Sequence, residues 1–208
     1  MIKSSEINDY FVPSLLDATN VMELWESFTD IMFEFKFSRI IYATTKISKP
    51  GLSENLKDGL VLSNHNSDYI EKLIENKCFD NDTNWMKINR SDCVSWNLSG
   101  RSFDKHKDNL SEVLFYPPIK KPPSKYEKNV RKLCKEYNIK AGYTLFFKHH
   151  IGTGSSGLSL CANPGMMEAE TNTNWKVNGH NIRYLSKLFD VKVRELPYIH
   201  FSLLPIRK

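Results

Sequence analysis

An α+β sandwich, with helices packed on a central antiparallel sheet, is predicted by three features of the sequence. Residues 20–35 recur in apolar side chains at helical spacing. Short β-branched and aromatic runs at 37–45, 60–63, 142–148 and 157–161 read as strands. The order helix, strand, strand, helix, strand, helix, hairpin, helix lays helices on a sheet rather than separating the two. At 208 residues the chain suits a single domain, 1–208, and is short for two.

Each element has its local reason. Residues 1–15 are polar enough to be a loose N-terminal segment, with Phe11, Val12, Leu15 and Leu16 available for docking. Asn20 followed by Glu23 resembles a capping box, and Val21, Leu24, Trp25, Phe28, Ile31, Met32 and Phe35 form the buried stripe of the helix it starts. Phe37–Thr45 reads as a strand ending in the turn Ser48–Gly51, and Leu60–Ser63 as a second. Asp68 is a good N-cap for a helix that buries Tyr69 and Leu73, with Ile70 and Ile74 alongside.

Beyond an acidic loop carrying Asp80 and Asp82, a short apolar run ends at Trp96. The polar stretch 97–109 is an exposed excursion, and residues 116–127, with two proline pairs, are an extended connector. A helix from Ser124 to about Asn138 carries Tyr126, Val130, Leu133, Cys134 and Tyr137 as its apolar stripe. Strands at Gly142–Lys148 and Gly157–Cys161 flank GTGSSG, residues 152–157, which satisfies GxGxxG in letters only. A dinucleotide loop runs from a strand into a helix, whereas this one runs into the strand LSLC and is a hairpin loop. The last helix spans roughly Met167–Phe189 with Asn178-Gly179 awkward in its interior, and residues 191–208 form an extended tail.

Composition narrows the function classes. Apolar residues make up 40% of the chain and charged residues 25%, as in ordinary globular proteins, and no run approaches the roughly 20 apolar residues that span a bilayer. The N-terminus lacks a secretory pattern, so a cytoplasmic location is expected and no membrane partner. Cys78, Cys93, Cys134 and Cys161 have neither CxxC nor disulfide-framework spacing, and the histidines make no HExxH or HxH; neither metal nor cofactor is expected. Residues 1–35 carry seven acidic groups against one lysine, and residues 119–150 carry nine basic groups against two acidic. The basic block lies on a helical pattern without interleaved stacking aromatics, which favours a solvated face over a nucleic-acid surface.

The stretch 60–96 brings aromatic, hydroxyl and carboxylate groups into one neighbourhood, the composition of a small-ligand pocket. Asp82 beside apolar walls either stays ionised and accepts hydrogen bonds or titrates as an acid or base; a solvated loop residue or helix cap is the bland alternative. No nucleophile with its base stands nearby, and no enzymatic activity is expected.

The series ELWESFTDIMFEFKFSRIIYAT, IEKLIENKCFDNDTNW, YNIKAGYTLFF and GLSL, followed by the final helix, resembles the autoinducer-binding domain of LuxR-type quorum-sensing transcription regulators. The resemblance implies an α-β-α sandwich with a pocket between the sheet and one helix layer, binding an N-acyl-homoserine lactone or a related small signal. Position by position it implies Asp82 as acceptor for the ligand amide N–H and Tyr69 where the family has a tryptophan donating to the lactone carbonyl. His65 and Leu73 stand at tyrosine positions, Trp96 matches, within one residue, the tryptophan that packs on the head group, and Ser159 matches a hydroxyl position that contacts the amide carbonyl in some members. Ile40, Tyr42, Leu62 and Phe146 are candidate walls. Thr83, Tyr69 and Leu73 depart from the family pattern, and relatives that lose these groups often recognise something other than acyl lactones, which leaves the ligand class open between an acyl lactone and another small signal. Such regulators continue into a helix-turn-helix domain, and no segment here reads as a recognition helix. The expectation is a domain that senses a signal without itself binding DNA, as a homodimer or as a heterodimer with a full-length regulator. A ligand-independent dimerisation module modulating such a regulator is the alternative.

Overall fold

The computed structural model describes residues 4–45, 60–75, 93–97, 113–114, 125–148 and 155–196. The acidic loop with Asp82, the polar excursion, the proline pairs and the end of the chain lie outside these residues.

From Ser4 to Leu16 the chain is helical: a turn at Ser4–Glu6, a π-helical segment at Ile7–Phe11, and α1, Val12–Leu16. From residue 4 onward this corrects the loose N-terminal segment expected for 1–15. Ile7 and Leu15 are buried in the main core, and the Phe11 ring meets Phe35 edge-on at 6.0 Å. A few apolar anchors fix a segment whose Asn8, Asp9 and Tyr10 stay exposed.

Helix α2, Val21–Glu34, is capped by Asn20, whose Oδ1 accepts from the N–H groups of Met22 and Glu23, each at 3.0 Å. Glu23 reaches back to Thr19 rather than to Asn20, accepting from its N–H at 2.9 Å and its hydroxyl at 2.8 Å. Those bonds, the backbone one foremost, hold the Glu23 carboxyl below its usual range.

Then come β1, Phe37–Thr45; β2, Leu60–Ser63; α3, Ser67–Glu75; β3, Cys93–Asn97; β4, Val113–Leu114; α4, Lys125–Glu136; β5, Ala141–Lys148; β6, Ser155–Ala162; and α5, Glu168–Glu195. The sheet order is β2-β1-β6-β5-β3-β4. Every pairing is antiparallel except β3 with the short edge strand β4. Strands β5 and β6 pair directly, so GTGSSG runs into a strand, as the hairpin reading requires.

A bulge at Ser38 decides which side chains face which way. Register slips between Phe37, opposite Ala162, and Arg39, opposite Cys161. Phe37 therefore shares a face with Ile40 and Tyr42 rather than with Arg39 and Ile41. The Asn64 side chain bridges the irregularity, accepting from Ile40 N–H at 2.6 Å and donating to the Ser38 carbonyl at 3.0 Å.

On the first face, Ile40, Tyr42, Leu62, Tyr143, Leu158 and Leu160 join α2 and α5 in one large core, where Phe28 stacks on Phe189 at 4.1 Å. Helix α5 outruns its expected end at Phe189 by six residues, which corrects the start of the extended tail at 191. Val193 is fully buried, and Asp190 pairs with Arg194 one turn on at 3.0 Å, so packing overrides the weak helical preference of Val191 and Val193. Gly179 sits inside the helix because a Cβ there would meet the Trp175 indole at 3.0 Å, and that indole lies stacked on Tyr143 at 3.8 Å. Among the described residues no helix is long and apolar enough to cross a membrane.

Candidate functional site

The second face of the sheet differs in kind from the first. Its three central rows, read across β1, β6 and β5, are Arg39–Cys161–Gly142, Ile41–Ser159–Thr144 and Ala43–Gly157–Phe146. Small and polar residues predominate where the first face has leucines and aromatic rings. Helices α3 and α4 cover this face through Tyr69, Ile70, Leu73, Leu133 and Cys134, with Val61, Val130 and Tyr137 at the margin.

Helix α3 is placed by Asn66, whose Oδ1 accepts from Asp68 N–H at 2.8 Å while its carbonyl takes Tyr69 and Ile70. The cap is thus Asn66, not Asp68, which is exposed within the first turn; Ile74 likewise points outward. Just past the end of helix α4, Asn138 adopts a left-handed φ of 52° while Ile139 N–H returns to the Cys134 carbonyl at 2.8 Å. Arg39 reaches across from β1 and donates to the neighbouring Tyr137 carbonyl, placing a cation at the negative end of the helix.

Between these elements His65 is 2% exposed. Its ring stacks on Tyr69 at 4.7 Å and 17°, and its Nε2 lies 3.7 Å from Cys161 Sγ. The Tyr69 hydroxyl lies 3.9 Å from Cys134 Sγ, and the Tyr137 ring meets Tyr69 edge-on at 5.2 Å. Burial, with the Arg39 charge adding to it, pushes the His65 imidazole down to about 3, so it is neutral at physiological pH. Burial and the nearby Cys134 push the Cys161 thiol upward. The thiol and imidazole stand in contact, yet burial works against the thiolate that nucleophilic chemistry requires. What the described residues offer is a set of neutral dipoles and the Arg39 cation beside apolar walls, suited to holding a ligand. Among the described residues no cluster of histidine, cysteine and carboxylate groups could hold a metal ion.

The residues expected to line one pocket divide between two cores. Tyr69, Leu73, His65, Ser159 and Phe146 belong to the second face. Ile40, Tyr42 and Leu62 are buried in the core on the first face. The Tyr42 hydroxyl is engaged there, donating to Asp190 Oδ1 at 2.9 Å, and burial followed by the Asp190 charge raises the phenol well above its ordinary range. Trp96 is described in its backbone, which pairs with Gly142. Asp82 lies outside the described residues.

Arg39, Ile41, Cys161 and Tyr137 were missed. Ser159 and Ile41 are register partners, so strand alternation from Ser159 selects Ile41 instead of Ile40 once the pairing is known. No sequence signal fixes that register, and the bulge at Ser38 hides it further.

No protein-family model matches the sequence, and no curated protein matches it. Solved structures do resemble it. One is CepR2 from Burkholderia cenocepacia, described as an N-acylhomoserine lactone dependent LuxR family transcription factor: TM-score 0.63 and 10% identity, over 92% of this chain and 97% of that one. Another is SdiA in complex with octanoyl-rac-glycerol, with TM-score 0.59 and 8% identity over 93% of this chain and 68% of that one. At such identities the likeness is one of fold, and the chain has the α-β-α fold of the autoinducer-binding domain of LuxR-family regulators.

Proposed function

We propose that this chain is the ligand-sensing domain of a quorum-sensing regulator and holds a small acylated signal, an N-acylhomoserine lactone or a related molecule, between the second face of the sheet and the α3–α4 layer. The observation that carries the reading is the asymmetry of the sheet. One face is filled by large side chains closed onto α2 and α5; the other presents Ala43, Gly157, Gly142, Thr144 and Ser159 beneath helices that bring aromatic and polar groups to it. Small residues on a sheet face leave room for an apolar chain, and neighbouring hydroxyl and ring groups can pair with a polar head. The two similar structures support the reading, one being described as lactone-dependent and the other holding an acylated glycerol. Asp82 and Trp96 complete the head-group contacts in this proposal.

Thermal unfolding with acyl-homoserine lactones and octanoyl-rac-glycerol of graded chain length tests it. A ligand at 100 times its Kd adds roughly 2.7 kcal/mol of stability. A shift that grows and then falls with chain length, and is lost in Ser159→Leu, supports the site. Folded protein that responds to no member of either series refutes it.

A further inference from the structure

The second face holds a cation, Arg39, that has no anionic partner among the described residues. Arg39 is partly buried, and among the described residues its guanidinium makes one hydrogen bond, to the Tyr137 carbonyl. No carboxylate pairs with it among the described residues: Glu136 is engaged by Lys72 and Lys132, and Asp190 by Arg194 in the other core. A guanidinium has five N–H donors in a planar fork, so the described residues take up only a small part of its donor capacity. Its charge is felt at the ligand layer, where it reinforces burial in keeping His65 neutral and favours the ionised form of Cys161 against the larger effect of burial. His65, stacked on Tyr69, therefore adds no second positive charge, and the described groups around Arg39 supply dipoles but no counter-charge.

A ligand with a neutral head leaves this charge uncompensated when it displaces water, whereas a carboxylate matches the fork in charge and shape. The row Ala43–Gly157 lies on the same strands two rows along from Arg39–Cys161, so a head on Arg39 directs its tail over the small-residue floor. We infer that the site takes an amphiphile with an anionic, carboxylate-type head, seated on Arg39 beside the His65–Tyr69 stack, in preference to the uncharged lactone of the same chain length. The inference rests on the ligand-sensing reading above and sharpens its ligand class.

A matched pair of probes separates the two: N-octanoyl-homoserine lactone and its ring-opened carboxylate N-octanoyl-homoserine, which share chain and amide and differ in head-group charge. Calorimetric titration of the full chain is expected to give at least tenfold tighter binding of the carboxylate, weakening as salt is raised. Arg39→Met should bring the pair to within threefold by weakening the carboxylate alone, and Arg39→Lys, which keeps the charge and part of the packing, should retain a preference. Should Arg39→Met fail to fold, the wild-type ratio together with the Arg39→Lys ratio decides. Lactone binding equal to or tighter than that of the carboxylate in wild type overturns this inference and leaves the sensing function standing, as does a preference unchanged in Arg39→Met. Folded wild type that binds neither probe overturns both.

Discussion

Acidification should strip stability from this protein through one side chain, His65. Its imidazole is held neutral down to about pH 3 in the folded chain, against an ordinary value of 6.5. Below pH 6.5 the unfolded chain takes up a proton that the folded chain refuses, so stability falls as pH falls, at about 1.4 kcal/mol per pH unit. The loss is about 2 kcal/mol at pH 5 and about 4 kcal/mol near pH 3, where the folded form begins to protonate as well. Against a total of roughly 5–15 kcal/mol for a domain, that is a large share. Urea unfolding at pH 7, 6, 5 and 4 measures it, with His65→Phe as the control, because phenylalanine keeps a ring on Tyr69 and cannot titrate. Carboxylates protonate in both proteins, so the contribution of His65 is the difference between the two curves, opening from zero at pH 7 to about 2 kcal/mol at pH 5. Parallel curves would show that His65 is solvated in the folded protein and would sink the argument.

Other perturbations have equally definite outcomes. Asn64→Ala removes both bonds that bridge the Ser38 bulge and should cost about 2–3 kcal/mol in urea unfolding. Tyr42→Phe leaves the Asp190 carboxylate, 1% exposed, with Arg194 as its remaining side-chain partner; a loss of about 1–3 kcal/mol is expected, with Asp190→Asn milder than Asp190→Ala. Gly179→Ala sets a helix-propensity gain of about 1 kcal/mol against overpacking of roughly 1–3 kcal/mol, because stacking on Tyr143 holds Trp175 in place. The expected result is a lower Tm, and a rise would mean that the indole moves freely.

Much of the fold was legible because its local signals agree with its packing. The Asn20 cap, the α2 stripe and the bounds of β1 and β2 all follow from periodicity and capping chemistry. What escaped is set by tertiary contact. Ile7 and Leu15 anchor a segment whose composition reads as loose, and Val193 extends α5 through residues that read as the start of an extended tail. The candidate site was legible by residue type but not by side. Ile40, Tyr42 and Leu62 have the right chemistry for pocket walls and face the wrong core, since alternation gives two faces without saying which is which. Nothing in the sequence separates Arg39 from any other strand arginine, and it is the pairing with Cys161 that places it on the second face.

The order of strands also sets the timing of assembly. Strand β1 pairs with β2 about 20 residues on, but its other edge waits for β6, with Ile40 opposite Leu160. At a synthesis rate of about 5–20 residues per second, those intervening residues take roughly 6–24 s to emerge. Throughout that interval FSRIIYATT presents an open, apolar, β-branched edge, the kind of surface on which nascent chains pair with one another. Loop closure over so long a separation is slow once the chain is complete, too. Yield of the intact protein is therefore governed by how well that edge is shielded before β6 arrives, and a product ending before Ser155 should be recovered in aggregates whatever its ligand.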